Sequence, residues 1–370
     1  MTGSEPLAAQ PSGVPPVSRL VDAVTVVPGQ AGVRFCLGSR ALTVRGPADV
    51  LSRAVAALRA GLDEATLRAT PATSALGRLV GELTGLGWMT SEPAAAATNP
   101  TVERQVGYLS VFGPDAAAMQ RRIEGARVAI LGVGGVGTVL AQHLAGAGVG
   151  ELWLVDFDRV APHNLNRQFL FAYDDIGVPK TEAAARALRR LAPALVVHTV
   201  DARVAGAADL SALPAELDLL VVAADTPPGI HDFAWQWARG RRIPLHMSAV
   251  GLETGYWGPL LVPARAHCWD CFSRDRRDAL PADQVDLEER GLGPTPYSFG
   301  PSNTAVAALL AHDVLRYLAS GDSPALNRRG QLMLSEGRIS YFAGQSCRCS
   351  PAAGGSVEAA NPAPPRVDER

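Results

Sequence analysis

The chain has 370 residues, of which 47% are hydrophobic and 19% charged, with a formal net charge of −2. That length allows two or three domains with real cores, and the balanced charge gives neither nucleic acid nor an anionic membrane surface a concentrated positive field. No apolar run reaches the roughly 18 residues of a membrane span, and no basic segment leads into an apolar stretch at the start, so a cytoplasmic protein is expected.

Residues 1–18 and 351–370 are rich in Pro, Gly, Ser and Ala and have no apolar periodicity to offset ordering entropy; both are expected to be disordered. A third break, "SEPAAAATNP" at 91–100, separates an N-terminal block from the rest. Within that block "VTVV" and "VRFCL" flank the turn "PGQAG", and "ALTVRG" follows as a third strand. Leu51, Ala54, Val55 and Leu58 repeat at helical spacing, as do Leu76, Leu79, Val80 and Leu83, with "GLDEATLRA" as a short helix between them and "GLGWM" as a glycine stop. A small module of strands followed by helices results.

From residue 127 the rhythm becomes strand, helix, strand. "RVAILG", "ELWLVDFD", "LVVHTV", "LDLLVVAAD" and "RIPLHMSAV" read as strands, and "TVLAQHLAGAG" and "KTEAAARALRRLAP" as helices. This alternation predicts an α/β fold with a doubly wound parallel sheet.

The first strand runs into Gly132, Gly134, Gly135 and Gly137, a turn whose backbone amides can approach a phosphate at a helix N-terminus. Asp156 ends the second strand 24 residues after Gly132, where a carboxylate can accept from ribose hydroxyls. Up to this point a dinucleotide site reads equally well. Behind that strand, however, stand Asp158, Asn164, Arg167 and Gln168, and then Lys180 in "GVPK"; two cations and an amide suit a triphosphate better than the two phosphates of NAD. Asp225 ends the strand "LDLLVVAAD", where a carboxylate facing the crevice can hold Mg²⁺. Together these residues read as a magnesium-ATP site.

Cysteines fall as Cys36, then "Cys268-Trp269-Asp270-Cys271" and "Cys347-Arg348-Cys349". Two close pairs in a reducing compartment indicate a structural zinc site of Cys268, Cys271, Cys347 and Cys349, with reduced surface thiols as the alternative. Cys36 is expected to be a buried apolar residue. Among the histidines, His143 and His246 read as core or rim residues, and His267 borders the metal site. Tyr297, Ser298 and Asn303 fall near the expected substrate mouth without an assignable role.

In "ERQVGYL", "GVGGVG", "VDFDRVAPHNLNRQ", "GVPK", Asp225 and the cysteine pairs, residues 100–349 resemble the E1-like ThiF/MoeB/HesA adenylyltransferases, which include the molybdopterin-synthase and thiamine sulfur-carrier activators. The second cysteine pair departs from the family's usual C-x-x-C. The resemblance implies ATP recognition by Asp156, phosphate contacts by Asn164, Arg167, Gln168 and Lys180, and magnesium on Asp225. It also implies a homodimer in which Arg104 reaches the γ-phosphate of the opposite subunit. The implied chemistry is attack of a carboxylate on the α-phosphate with release of pyrophosphate. No cysteine lies between Cys271 and Cys347, so adenylation rather than thioester formation is the expected step.

Residues 19–95 are similar in pattern to winged-helix leader-peptide recognition elements, and residues 99–350 complete the expected adenylation domain. The combination resembles E1-like enzymes of peptide natural-product biosynthesis, such as the microcin C7 adenylyltransferase and the partner proteins of azoline-forming cyclodehydratases. By that resemblance the leader of a ribosomally made precursor peptide would add as a strand beside "ALTVRG" and pack against the helix from Ser74 to Leu86, and other biosynthetic enzymes are possible partners. Two rivals stand beside this reading: a sulfur-carrier activator with a decorated N-terminus, and a non-catalytic leader-binding partner.

Overall fold

A computed structural model describes residues 18–91, 99–263, 265, 267–279, 297–344, 347 and 349. Both termini and most of the 91–100 break lie outside the described residues. No helix among the described residues is long and apolar enough to cross a membrane.

The N-terminal residues build a core of their own. Strands β2 (Thr25–Gly29), β3 (Gly32–Leu37) and β4 (Arg40–Arg45) form an antiparallel sheet in that order, while β1 (Arg19–Leu20) pairs with β5 (Met89–Thr90). Alternation along β3 sends Val33, Phe35 and Leu37 inward against α1 (Ala48–Ala60) and α3 (Ala75–Gly85). The helix faces marked by periodicity are the ones that pack: Leu51, Ala54 and Leu58 are buried on α1, and Leu79 and Leu83 on α3. The short α2 (Glu64–Ala69) starts at Asp63, whose side chain accepts the N–H of Thr66 and caps the helix. Gly87, at φ +70°, ends α3 and turns Trp88 into the core at 0% exposure. Cys36 corrects an expectation: it is half-buried, because its neighbours Phe35 and Leu37 take the inward face and period two sends Cys36 to the other.

After α4 (Glu103–Leu109) and α5 (Ala116–Glu124), the chain enters an eight-stranded sheet. Its parallel part comprises β6 (Arg127–Leu131), β7 (Glu151–Asp156), β8 (Val196–Asp201), β9 (Leu219–Val222) and β10 (Leu245–Val250), in the spatial order β10-β9-β6-β7-β8. Three further strands, β11 (Thr254–Leu261), β12 (Arg328–Met333) and β13 (Arg338–Ala343), extend it antiparallel from β10. Strand β6 shows why helices cover both faces. Val128 and Ile130 join α6 (Gly135–Gly146), α7 (Lys180–Leu191) and the long α10 (Gly300–Ser320) in one core; Ala129 and Leu131 join α8 (Ile230–Arg241) and α9 (Trp269–Asp278) in the other.

The chain leaves β6 outward through β7 and β8, then returns to β9 on the opposite side of β6. The reversal opens a crevice between β6 and β9 at their carboxyl ends, the position where doubly wound sheets bind ligands.

His246 on β10 lies at 0% exposure, with Nδ1 accepting the N–H of Met247 at 3.0 Å. Burial lowers its pKa to about 4, against the opposing charge of Asp313, which is itself buried and accepts Trp257 Nε1–H at 2.9 Å. Because the folded value lies below the unfolded one near 6.5, the neutral ring's contribution is complete above pH 6.5 and is lost as pH falls toward 4. The unfolding free energy from urea titrations across that window is expected to fall with acid by up to about 1.4 kcal/mol per pH unit for this one proton. His246→Leu should flatten the slope; an unchanged slope would assign it elsewhere.

Candidate active site

A cleft of 440 Å³ occupies the switch point, lined by residues that follow β6, β7, β8 and β9, the end of β10 and the start of α10. Its size falls within the roughly 300–1,000 Å³ of small-molecule sites. Three glycines of the turn, Gly132, Gly134 and Gly135, line it, and Gly137 follows them within α6. Gly132 takes φ +96°, and a Cβ on it would stand 2.7 Å from the Ala223 carbonyl oxygen of β9's extension. A Cβ on Gly137 would meet the Gly132 carbonyl at 1.9 Å, and one on Gly135 would meet Asn303 Oδ1 at 2.3 Å. Only Gly134 faces open space, with nothing nearer than Gln168 Nε2 at 4.0 Å. Protein therefore packs against three of the four positions, whereas a side chain on Gly134 would extend toward open space.

Asp156 ends β7 and ties the turn to it. Its Oδ2 accepts the N–H of Val133 at 2.7 Å and its Oδ1 that of Asp158 at 2.9 Å. Burial raises this carboxyl above the ordinary carboxylate value, while the charge of Lys180 and the two backbone N–H groups pull it back down. Lys180, at the start of α7, has a side chain only 7% exposed and reaches Asp158 Oδ2 at 2.7 Å. The pairing of Asp158 is thus with Lys180 and not with Arg167, whose guanidinium donates instead to the His163 carbonyl at 2.6 Å and to Asn166 Oδ1 at 3.0 Å.

Asn164 and Gln168 are 4% and 3% exposed. Asn164 Oδ1 accepts the N–H of Ala161, which folds the segment after β7 back over the cleft, and Gln168 Oε1 meets no donor among the described residues. Asp225 lies three residues past the end of β9, exposed, and accepts a bond from Thr226 Oγ. Tyr297, Ser298 and Asn303 line the other wall, with Ser248 at the end of β10. Neither His163 nor Ser248 stands out in the sequence; the signal that could find Ser248 is its place at the carboxyl end of a parallel strand. Arg104 is not brought into the cleft. It is exposed on α4. His143 is exposed on α6, a surface position for a residue read as core or rim.

Away from the cleft, Cys268, Cys271, Cys347 and Cys349 place their sulfurs within 4.8 Å of one another. The closest pairs are Cys271–Cys349 at 3.4 Å, Cys268–Cys347 at 3.7 Å and Cys271–Cys347 at 3.9 Å. Burial pushes the Cys268 thiol up to about 12, so its thiolate form needs a cation beside it. The group can hold a metal ion, and His267 is not part of it among the described residues.

A doubly wound sheet that opens its switch point onto a polar, glycine-floored cleft is a nucleotide-binding domain. The ThiF family model matches residues 102–351. The molybdopterin-synthase adenylyltransferase of Escherichia coli is 43% identical over 206 residues, which cover 56% of this chain and 78% of that relative. The sulfur carrier protein ThiS adenylyltransferase of the same organism is 29% identical over 251 residues, covering 64% and 89%. Among solved structures, E. coli MccB with ATP superposes with a TM-score of 0.73 at 24% identity, over 91% of this chain and 99% of that one. The microcin C7 biosynthetic enzyme MccB in complex with N-formylated MccA gives a TM-score of 0.73 at 23%, again over 91% and 99%. Coverage of that extent reaches into the N-terminal module, so the shared fold includes it. The chain belongs to the ThiF family, and it is an adenylyltransferase.

The four glycines separate under substitution. Gly137→Ala is expected to lower folding stability by about 1–3 kcal/mol through overpacking, read by urea unfolding. Gly134→Ala should leave that curve unchanged and raise the KM for ATP; an ATP KM equal to that of the parent would remove Gly134 from the nucleotide floor.

Proposed function

We propose that the chain adenylates a carboxylate of a ribosomally synthesised precursor peptide whose leader is held by the N-terminal module. The observation that carries this reading is the edge of β4. It is the outer strand of its sheet, with Arg40, Ala41, Thr43 and Arg45 exposed, and an extended peptide can add to such an edge through main-chain hydrogen bonds. The C-terminal end of α3 lies beside it, where Arg40 donates to the Leu86 carbonyl. MccB, which shares the fold over both parts, has been crystallised with MccA.

In the cleft, the glycine turn at the N-terminus of α6 would receive the α-phosphate. Asp156 would hold the ribose through the lone pairs its two backbone bonds leave free. Asn164, Arg167, Gln168 and Lys180 would hold the remaining phosphates, Lys180 exchanging its bond to Asp158 for phosphate oxygens. A magnesium ion on Asp225 would neutralise charge on the departing pyrophosphate. A carboxylate oxygen then attacks the α-phosphorus, the bond to the β-phosphate oxygen breaks, and acyl-AMP and pyrophosphate form. The nucleophile is already ionised, so positioning and charge neutralisation are the protein's contribution. Arg104, outside the cleft of its own chain, would complete the phosphate set of a partner copy in a homodimer.

Pyrophosphate exchange tests the reading. A pool of short synthetic peptides with free C-termini, joined to the leader of the precursor, is expected to support exchange, whereas a ubiquitin-fold protein ending in Gly-Gly is not. Exchange with the diglycine protein alone would favour the sulfur-carrier reading, which the higher sequence identity to molybdopterin-synthase adenylyltransferase supports. Exchange with neither, alongside intact leader binding, would leave a leader-binding partner. The dimer is tested by co-expression: Arg104→Ala and Asp225→Ala are each expected to be inactive, and mixed dimers should recover about a quarter of parental activity because one site in the heterodimer is intact. No recovery would place Arg104 in its own chain's site or outside catalysis.

For the cysteine cluster we propose zinc. Zn–S bonds of about 2.3 Å set tetrahedral sulfurs about 3.8 Å apart, close to the 3.4–3.9 Å of the three nearest pairs here. Purified protein is expected to carry about one zinc per chain. Cys271→Ser should lose it and lower the Tm; full activity and an unchanged Tm in a zinc-free protein would reduce the cluster to ordinary thiols.

A further inference from the structure

We propose that Asn303 is a specificity-determining residue whose Oδ1 accepts an N–H of the carboxyl substrate, and that this donor is the last peptide N–H before the activated carboxylate. The proposal rests on the reading that the cleft adenylates a peptide.

The side chain of Asn303 is 5% exposed and lines the cleft near the first turn of α10. Its orientation is settled by chemistry. Nδ2 donates to the Phe299 carbonyl at 2.7 Å and to Ser298 Oγ at 2.9 Å, and a carbonyl oxygen can only accept, so the nitrogen must face it. Oδ1 is thereby turned toward the glycine turn, so closely that a Cβ on Gly135 would stand 2.3 Å from it. Among the described residues no donor is bonded to this oxygen. Unlike Gln168 Oε1, this oxygen is not sealed from solvent, and Asn303 lines the cleft, so a donor brought into the cleft can reach it.

The nucleotide does not supply it. Asp156 and Phe157 after β7, and Ala202 and Val204 after β8, form the wall on one side of the switch point; Asn303, Ser298 and Ser248 to Val250 form the wall on the other. With the ribose on Asp156, the acyl group takes the Asn303 side. Phosphate and carboxylate oxygens are acceptors and cannot bond Oδ1; with the ribose, and the base it carries, on the Asp156 side, the donor left among the reactants is an N–H or O–H of the acyl substrate. In a peptide C-terminus, the N–H of the final residue is two bonds from the carboxyl carbon. Held by Oδ1, it would set that carbon over the N-terminus of α6. A side-chain carboxylate of Asp or Glu carries its nearest backbone N–H at least one bond further away.

The test compares the best peptide of the exchange pool with its analogue in which the last amide is an ester, so that oxygen replaces the N–H. In the parental protein the ester is expected to lower kcat/KM about tenfold, the size of one lost hydrogen bond. Asn303→Ala should lose about tenfold with the amide peptide, show no further loss with the ester, and keep its KM for ATP within about twofold. An ester that works as well as the amide in the parental protein overturns the proposal without reference to the variant's folding. So does an ester penalty that is the same in Asn303→Ala. If only the diglycine protein supports exchange, the peptide reading fails by itself; the same amide and ester comparison on its last bond then decides the role of Asn303. If no acyl substrate supports exchange, both fail.

Discussion

One buried carboxylate organises the cleft. Asp156 receives the backbone N–H of Val133 from the glycine turn and that of Asp158 from the segment beyond β7, so the two loops that border the crevice are fastened to a single side chain. Neither bond would form to an apolar residue, and each leaves a backbone donor unmet if the carboxylate is removed. Burial raises the carboxyl's proton affinity and the Lys180 charge lowers it. The buried lysine bonded to Asp158 thus helps keep Asp156 ionised.

The second border of the crevice is built by contact between distant segments. Gly135 and Asn303 are 168 positions apart in the chain, yet the missing side chain of one is the space the other occupies. The α6–α10 packing that brings them together also closes the core beneath them, where Leu140, Leu144, Leu310 and Val314 are buried. The N-terminal module meets the same body near α4: Thr90 Oγ donates to Asp115, and Gly38 in the β3–β4 turn lies against Val111. The exposed edge of β4 and the helix that carries Arg104 are therefore attached to one short connector.

The parallel strands, α6, α7 and the helix faces of the N-terminal module were legible in the sequence because each is patterned locally, by apolar runs or by period 3.6. The antiparallel extension was not. "TGYWGPLL" carries Gly255, Gly258 and Pro259, residues that locally signal a break. In the folded chain Gly255 is needed because a Cβ there would meet Val306 at 2.2 Å, and Gly330 on β12 because one would meet Trp257 at 2.4 Å. Close packing between elements is invisible before the elements are placed. The candidate site divides in the same way. Residues that follow β6, β7 and β9 were readable from motif and spacing, whereas Asn303 and Ser248 matter through the wall they share across the switch point. Lys180 could be read as a cation but not as the partner of Asp158.

The four cysteines have a further consequence for the unfolded chain. Their sulfurs join residues 76 to 79 positions apart, spanning α9, α10 and the β12–β13 hairpin. An ion gripping all four would close a loop of that length, and by the entropy of loop closure a cross-link of this span would disfavour the unfolded ensemble by about 4–5 kcal/mol. The sheet's antiparallel edge contains Gly255, Gly258 and Gly330 and ends in the mostly exposed β13. It would then be retained less by its own contacts than by how little freedom the chain recovers when it lets go.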